Sequence, residues 1–573
     1  MIARPYLICL PLSLRLSVMP EKSKPRPFIN AHTHIFTHKN VPPYIAKTLV
    51  IFPFYFLLNI PLLIRLVHYF THKQGDKLPF QIRDGFTELR FLINRYTQHK
   101  LITRLLVSVL DIGIRLLNIL FVISFPIYYG GWQKKWGFFD SVIDQILGVS
   151  ILGRILFVVF SALLFAPVRR MFWWVLRNIF GFLKSLTGPQ TIALVKRYVA
   201  MAYYADKFNQ GDVFRNLTNL YPDNTRFVVL PMDMDYMAAG KPREDYAHQL
   251  ADLRGMLKSQ NSFFKKYALP FVAVDPRRIA DPANQFTHQF ITQLIDQDGF
   301  CGIKLYPPMG YFPFDKHLLE TLLWACKNGV PVTTHCIRGI IYYRGLKQRD
   351  WDFHPIFKDN KGKPIALRSY KNREFSYNFT HPLNYECLLD PALLADVLRY
   401  HNDPALNQLY DFDASNPNAV PANTLTELNL CLAHFGGEDE WERFLDRDKG
   451  DFEIALHDPL KTYTLDKGKM EPYWESVSWF SIVYNMLLKY PNVYADLSFI
   501  LYDERIMNLL KQIMQTPEIS DKILFGTDFF VVRQKKTEKV LWTDLRAELG
   551  ETAFYQIAQT NTARFLNLTP ATP

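Results

Sequence analysis

Several signals that assign proteins to common classes are missing from this 573-residue sequence. Its six cysteines lack paired spacing and most lie in apolar runs, so we expect reduced core residues in a protein on the cytosolic side. There is no Cys₄ zinc spacing, no glycine-rich phosphate-binding loop and no nucleic-acid-binding motif. We therefore expect neither a zinc finger nor a nucleic-acid partner.

A complete secretory signal is also missing. Residues 6–19 are apolar, but Pro11 and Arg15 interrupt the run and no small-residue cleavage site follows. We expect residues 1–27 to be an N-terminal extension that leads into the first strand.

Acidic residues are scarce in one segment only. Between residues 47 and 184 there are 17 Lys/Arg against 6 Asp/Glu, a net charge of +11, whereas the rest of the chain contributes +1 to the total of +12. The same segment is the most hydrophobic part of the sequence. We therefore assign residues 45–185 to an insertion that is separate from the catalytic body.

Hydrophobic runs of bilayer-spanning length are barely present in this insertion. Its uncharged runs at 48–64, 116–133 and 155–168 have 14–18 residues, at or below the roughly 17–25 of a spanning helix. Basic charge and the aromatic cluster at 171–176 favour a helical module that lies on, or inserts shallowly into, an anionic membrane surface on the cytoplasmic side. A soluble helical subdomain is the alternative.

The first strand contains a His-X-His pair. Four apolar residues at 28, 29, 35 and 36 flank His32 and His34, and the run is short enough for a buried strand. Because residues two apart on a strand point to the same face, these two imidazoles project together. They supply half of a metal site.

Strands and helices alternate after the insertion. Apolar strand patterns occur at 225–233, 269–275, 302–306, 330–335, 428–434, 493–497 and 522–528, with helical patterns between several of them. This alternation predicts a parallel sheet. With the first strand there are eight units, so we predict an α/β fold of the (β/α)₈ TIM-barrel type.

Because the first strand precedes the insertion and the others follow it, any full membrane crossings must be even in number.

Polar residues cluster at the carboxyl ends of these predicted strands, where a barrel builds its active site. They are His32, His34, Lys304, His335, His434 and Asp528. All are metal-ligand or acid–base types, which predicts a metal site at the barrel mouth.

The chain resembles the amidohydrolase superfamily, in particular its amidohydrolase-related branch of aminocarboxymuconate-semialdehyde decarboxylase-like enzymes. The matching stretches are NAHTH at 30–34, GIKLYP at 302–307, VTTH at 332–335, CLAHFGG at 431–437, LFGTD at 524–528 and NTARFL at 561–566. Asn30 stands where the family often has Asp, and the long insertion is unlike the family's small members. Residues 28–44 and 186–573 would together form the barrel domain.

The resemblance implies a role for each candidate residue. His32, His34, His335 and Asp528 would bind one divalent metal, zinc as first choice and manganese as second. Asp528 would also act as the base, and His434 would bind the attacking water or polarise the substrate. In binuclear relatives a lysine on the fourth strand is carboxylated and bridges two metals. Lys304 stands at that position here, but we expect one metal and an unmodified Lys304 near it.

Three functions stay open at this point. The first is a hydrolase that uses a metal-activated water on an amide, ester or lactone. The second is a non-oxidative decarboxylase of an unsaturated or aromatic acid, and the third is a non-catalytic, membrane-bound binding module. Arg338, which follows the fifth strand, could bind a substrate carboxylate, although a solvated loop arginine is the simpler interpretation.

Overall fold

The computed structural model describes residues 27–44, 209–259, 263–339, 341–367, 372–448, 470–529, 531–532 and 535–568, with two isolated positions at 109 and 112. The chain divides into two compact units, Met1–Thr71 with Val195–Pro573 and His72–Leu194. The predicted N-terminal extension and the membrane-associated insertion lie almost wholly outside the described residues, so both remain predictions. Among the described residues, no helix combines the length and apolar character needed to cross a membrane.

Ten strands are present in the described residues. They are β1 Ile29–Thr33, β2 Arg226–Val229, β3 Ala268–Ala273, β4 Gly302–Leu305, β5 Val332–Ile337, β6 Phe353–Lys358, β7 Pro364–Ala366, β8 Leu430–Gly436, β9 Val493–Asp496 and β10 Ile523–Leu524. Eight of them form one parallel sheet in the order β1-β2-β3-β4-β5-β8-β9-β10, and β6 pairs antiparallel with β7. The predicted (β/α)₈ barrel is confirmed.

The first and last strands close the barrel. Ala31 N donates to Phe525 O at 2.8 Å, and Asp528 N donates to His32 O at 2.9 Å. The closing contacts therefore fall on the two segments that carry predicted metal ligands. β10 itself has only two residues, because the chain that follows leaves the regular ladder.

Helices connect the strands and cover the sheet. They occupy Gln210–Thr218, Tyr246–Lys258, Phe263–Tyr267, Pro276–Ala280, His288–Asp296, Lys316–Lys327, Asn372–Phe375, Leu383–Leu389, Pro391–His401, Pro404–Leu409, Glu438–Arg443, Met470–Ser476, Trp479–Lys489, Met507–Ile513, Pro517–Ser520, Glu538–Tyr555 and Asn561–Phe565. Asp or Ser side chains accept backbone N–H groups at several of their starts, as Asp245, Asp315 and Ser478 do.

Two features of the sequence explain why the barrel forms. β3, β4, β5, β8 and β9 are buried along their whole length, as expected for parallel strands covered on both faces. At the end of the chain, Asn561 Nδ2 donates to the carbonyls of Ser520 (2.6 Å) and Ile523 (2.8 Å). This amide fixes the final helix to the short β10.

Candidate metal centre

All six predicted site residues lie at the same end of the barrel. Four of them fall within strands β1, β4, β5 and β8, and the other two follow β1 and β10. They are His32, Lys304, His335 and His434 in the strands and His34 and Asp528 after them. Each is at most 6% exposed, so a charge at any of these positions is largely removed from water.

The ring of His34 is fixed by a backbone contact. Its Nδ1 lies 2.7 Å from the carbonyl oxygen of Leu230, which can only accept, so Nδ1 carries the proton. In the neutral ring, Nε2 then carries a lone pair. That nitrogen lies 3.1 Å from Oδ1 of Asp528.

His32 is oriented in the same way by a carboxylate. Its Nδ1 lies 2.8 Å from Oδ2 of Asp496, and its Nε2 lies 3.8 Å from Oδ1 of Asp528. Burial lowers the pKa of His32 to about 3, although Asp496 acts in the opposite direction. A neutral ring with its proton on Nδ1 again leaves the Nε2 lone pair facing Asp528.

Three acceptor atoms therefore converge without a donor between them. Ligand atoms of His32, His34 and Asp528 all lie within 4.8 Å of one another. Oδ1 of Asp528 is buried and makes no hydrogen bond within the described part of the chain. Two imidazole nitrogens and a carboxylate oxygen are a donor set that zinc and manganese accept, so these residues fit a divalent cation.

Asp528 is held in an unusual conformation. Its φ is 60°, in the left-handed region that non-glycine residues seldom adopt. Burial raises the pKa of its carboxyl group, but a proton on His34 or His32 lowers that pKa below its ordinary value. The site therefore keeps Asp528 ionised and directed at the two histidines.

His335 lies outside this group of three and contacts His434 instead. Nδ1 of His335 is 3.1 Å from Nε2 of His434, whose own Nδ1 is 3.1 Å from the carbonyl oxygen of Ser498. His434 thus donates to Ser498 and accepts from His335. Nε2 of His335 is left buried without a hydrogen-bond partner among the described residues. Burial lowers the pKa of both rings.

Two residues of the site are absent from the sequence-based prediction. Asp496 is the last residue of β9, and Ser498 follows two positions later. The Asp496 carboxylate contacts His32, the backbone N–H of His434 and both donors of Ser498. Its place at the carboxyl end of a barrel strand is the signal that could have found it.

Lys304 is buried beside the metal group, which consists of His32, His34 and Asp528. Its Nζ has no hydrogen-bond partner within the described residues. Burial lowers the pKa of Lys304 to about 8, although the negative charges of Asp496 and Asp528 act to raise it. That Lys304 is an unmodified residue near a single metal stays a prediction.

A cleft opens above these residues. Its lining comprises His34, Met232, Tyr306, His335, Ile337, Arg338, Gly339, Ile341, His434, Phe499, Asp528 and Val531. Apolar walls with a few polar groups at the base are typical of small-molecule sites. Arg338 lies in this lining, but its guanidinium also contacts Oε1 of Glu440 at 3.0 Å and lies over the ring of Trp479.

No protein-family model matches the chain, and no curated protein matches it. Among solved structures, it is similar to a candidate amidohydrolase from Staphylococcus aureus (16% identity, TM-score 0.33, covering 64% of this chain and 93% of the other). It is also similar to an uncharacterised TIM-barrel protein from Bordetella bronchiseptica (13% identity, TM-score 0.31, covering 62% of this chain and 82% of the other). A third similar structure is an amidohydrolase from Mycobacterium avium subsp. paratuberculosis K-10 (14% identity, TM-score 0.29, covering 62% of this chain and 74% of the other). These values are too low to bear on function, and the barrel rests on the strand pairing described above.

Proposed function

We propose that this protein is a metal-dependent hydrolase of the amidohydrolase superfamily that acts on an amide, ester or lactone. The observation that carries the proposal is the convergence of His32 Nε2, His34 Nε2 and Asp528 Oδ1 below an apolar cleft. The ordered motifs of the sequence support the same superfamily.

His32, His34 and Asp528 would hold one divalent cation, zinc first and manganese second. His335 is the proposed fourth ligand, because its Nε2 is buried and lacks a hydrogen-bond partner among the described residues. A divalent cation in such a site lowers the pKa of a bound water toward neutrality. The chain would then have to move one proton and exclude competing water.

Asp528 and His434 are the proposed acid–base residues. Asp528 is ionised and lines the cleft, so it can take a proton from the attacking water and return it to the leaving group. His434 also lines the cleft, but both of its ring nitrogens are already hydrogen-bonded. To act on the substrate, its Nε2 must exchange His335 for the reacting group.

Metal content tests this proposal. Protein purified without chelators should carry about one divalent metal per chain, and His32→Ala/His34→Ala should lose most of it. The matched control is His248→Ala/His317→Ala, which removes two histidines outside the barrel mouth and should keep the metal. Elemental analysis is the readout. Wild-type protein that neither contains nor takes up a divalent metal would remove the mechanism.

The reaction type follows from the products. On any substrate found, Asp528→Asn should keep the fold and the turnover should fall by at least about 10²-fold, the usual scale of acid–base catalysis.

A hydrolase incorporates one oxygen from ¹⁸O-labelled water into its product, whereas a decarboxylase releases carbon dioxide. Release of carbon dioxide without incorporation of the label would replace the hydrolase by a decarboxylase.

A further inference from the structure

The carboxylate of Asp496 joins three strands at the base of the cleft. Its Oδ2 lies 2.8 Å from Nδ1 of His32 on β1. Its Oδ1 accepts from the backbone N–H of His434 on β8 at 2.9 Å. Oδ1 also accepts from both the backbone N–H (3.0 Å) and the hydroxyl of Ser498, which follows β9. The thiol of Cys431 also donates to Oδ2 at 3.8 Å, so five donors surround a side chain that is 0% exposed.

The contact with His32 decides which of its two ring nitrogens carries the proton. An ionised carboxylate can only accept hydrogen bonds, so Nδ1 of His32 must carry the proton. The lone pair is then on Nε2, the nitrogen on the side of Asp528. In general, a carboxylate behind a histidine ligand fixes both its tautomer and its ring orientation.

The contact with His434 fixes a strained backbone. The φ of His434 is 70°, and the φ of the next residue, Phe435, is 44°. Non-glycine residues seldom adopt this region unless the surroundings hold them there. Asp496 binds the amide of His434, and Ser498 Oγ lies 2.9 Å from its Nδ1. One carboxylate thereby supports the backbone and, through Ser498, the ring.

We propose that Asp496 is the positioning residue of the site: it sets the His32 tautomer for metal binding and, at the same time, the backbone that directs His434 into the cleft. The inference rests on the proposed function for the metal itself. It adds that the two histidines, which lie 402 positions apart in the chain, are ordered by one buried carboxylate.

The Asp496→Asn substitution isolates this role. Asparagine keeps one acceptor oxygen for the backbone N–H groups of His434 and Ser498 but replaces the other oxygen by a donor N–H₂. A donor facing Nδ1 of His32 requires a lone pair there, so the proton moves to Nε2. The N–H on Nε2 then faces Asp528, although the shape of the side chain at position 496 is nearly unchanged.

The experiment measures zinc affinity and the His32 tautomer on the full-length chain. Titration with Zn²⁺ against a competing chelator should show about 10–100-fold weaker binding for Asp496→Asn, the usual loss when such a partner is removed. In metal-free protein with ¹⁵N-labelled histidine, His32 should carry its proton on Nδ1 in wild type and on Nε2 in the variant.

Asp503→Asn is the matched control. This carboxylate is also buried and follows β9, but it binds Arg505 and should affect neither readout. Wild-type zinc affinity in Asp496→Asn, or a wild-type protein whose His32 carries its proton on Nε2, would overturn the inference. The His32 tautomer in wild type tests the role of Asp496 even if the variant fails to fold. If wild type binds no metal, the proposed function fails, while the tautomer in metal-free protein still tests Asp496.

Discussion

Histidines in this barrel are buried in ways that specify which nitrogen carries the proton. His354 shows this away from the metal group. Its Nδ1 accepts the backbone N–H groups of Ile356 (3.1 Å) and Phe357 (2.9 Å), and its Nε2 lies 3.0 Å from Oδ1 of Asn384. A second proton on Nδ1 would face two donors. Burial is the largest cause that lowers the pKa of His354, to about 3.

This pKa makes the stability of the protein depend on pH. The unfolded value is about 6.5, so between pH 6.5 and about 3 the unfolded chain binds a proton that the folded chain does not. The contribution of His354 is therefore complete above pH 6.5 and is lost as the pH falls. Between pH 7 and pH 5 the loss should be about 2 kcal/mol.

His354→Gln should show a smaller acid effect. Its free energy of unfolding should fall between pH 7 and pH 5 by about 2 kcal/mol less than that of wild type, because glutamine does not titrate. Urea denaturation at the two pH values measures this difference. The control is His248→Gln: Asp245 raises the pKa of this exposed histidine, so its loss should not reduce the acid effect. An unchanged pH dependence in His354→Gln would mean that His354 is not held neutral in the folded protein.

Residue types at strand ends could be predicted from the sequence, but contacts between side chains could not. The rule that polar residues at these ends meet at one mouth placed His32, His34 and Asp528 in one region. It did not show that His335 binds His434, because a ring orientation depends on neighbours from distant strands. Asp496 was missed because the prediction singled out histidines, a lysine and the carboxylate of a recognised motif.

At the scale of elements, short apolar runs that alternate with helical patterns were enough to locate all eight barrel strands. The hairpin of β6 and β7 was not predicted. Its strands are short and partly exposed, with a polar turn between them, so their pattern carries little periodicity. The two-residue length of β10 is also a property of the closed barrel and has no signal of its own in the sequence.

Barrel closure depends on a close approach at Gly526. A Cβ at this position would lie 2.8 Å from Cβ of His32 and 3.1 Å from Cβ of Ser498. The residue therefore lets the segment after β10 lie directly against the metal-binding strand. Both neighbours are themselves held by Asp496, so neither can move away without breaking a hydrogen bond.

Gly526→Ala should be destabilising. We expect the free energy of unfolding to fall by about 1–3 kcal/mol, the usual cost of overpacking, and zinc affinity to fall with it because His32 is displaced. Chemical denaturation and zinc titration measure the two effects. Gly255→Ala is the control: it lies in the helix Tyr246–Lys258 with nothing within 4 Å of an added Cβ, and it should stabilise by about 1 kcal/mol. Wild-type stability in Gly526→Ala would mean that the closure is looser than the structure shows.

At the scale of the whole molecule, the chain leaves the barrel after β1 and returns to the strand beside it. β1 pairs with β2 in parallel, with Ile29 opposite Arg226 and Asn30 opposite Phe227. On the near side of the insertion, Tyr44 N donates to Ala239 O at 2.9 Å. The described flanks therefore belong to one folded unit, whatever residues 45–185 do.

This topology supports the prediction that the insertion can be removed. Replacing residues 45–185 by a short Gly/Ser linker should give a barrel that is soluble without detergent and still binds zinc, because neither the metal group nor the barrel pairings use those residues. Size-exclusion chromatography and zinc titration are the measurements. Aggregation of this variant, together with loss of zinc, would show that the insertion is part of the barrel core.

We further propose that the insertion binds membranes. Full-length protein should sediment with vesicles and bind anionic vesicles more tightly than neutral ones, because each basic residue near an anionic surface contributes about 1 kcal/mol. High salt should weaken this binding without abolishing it, since salt screens the charges but not the burial of apolar side chains. The variant with the linker should not sediment. Full-length protein that is soluble and monomeric without detergent would instead make the insertion an ordinary helical subdomain, and the membrane proposal would be wrong.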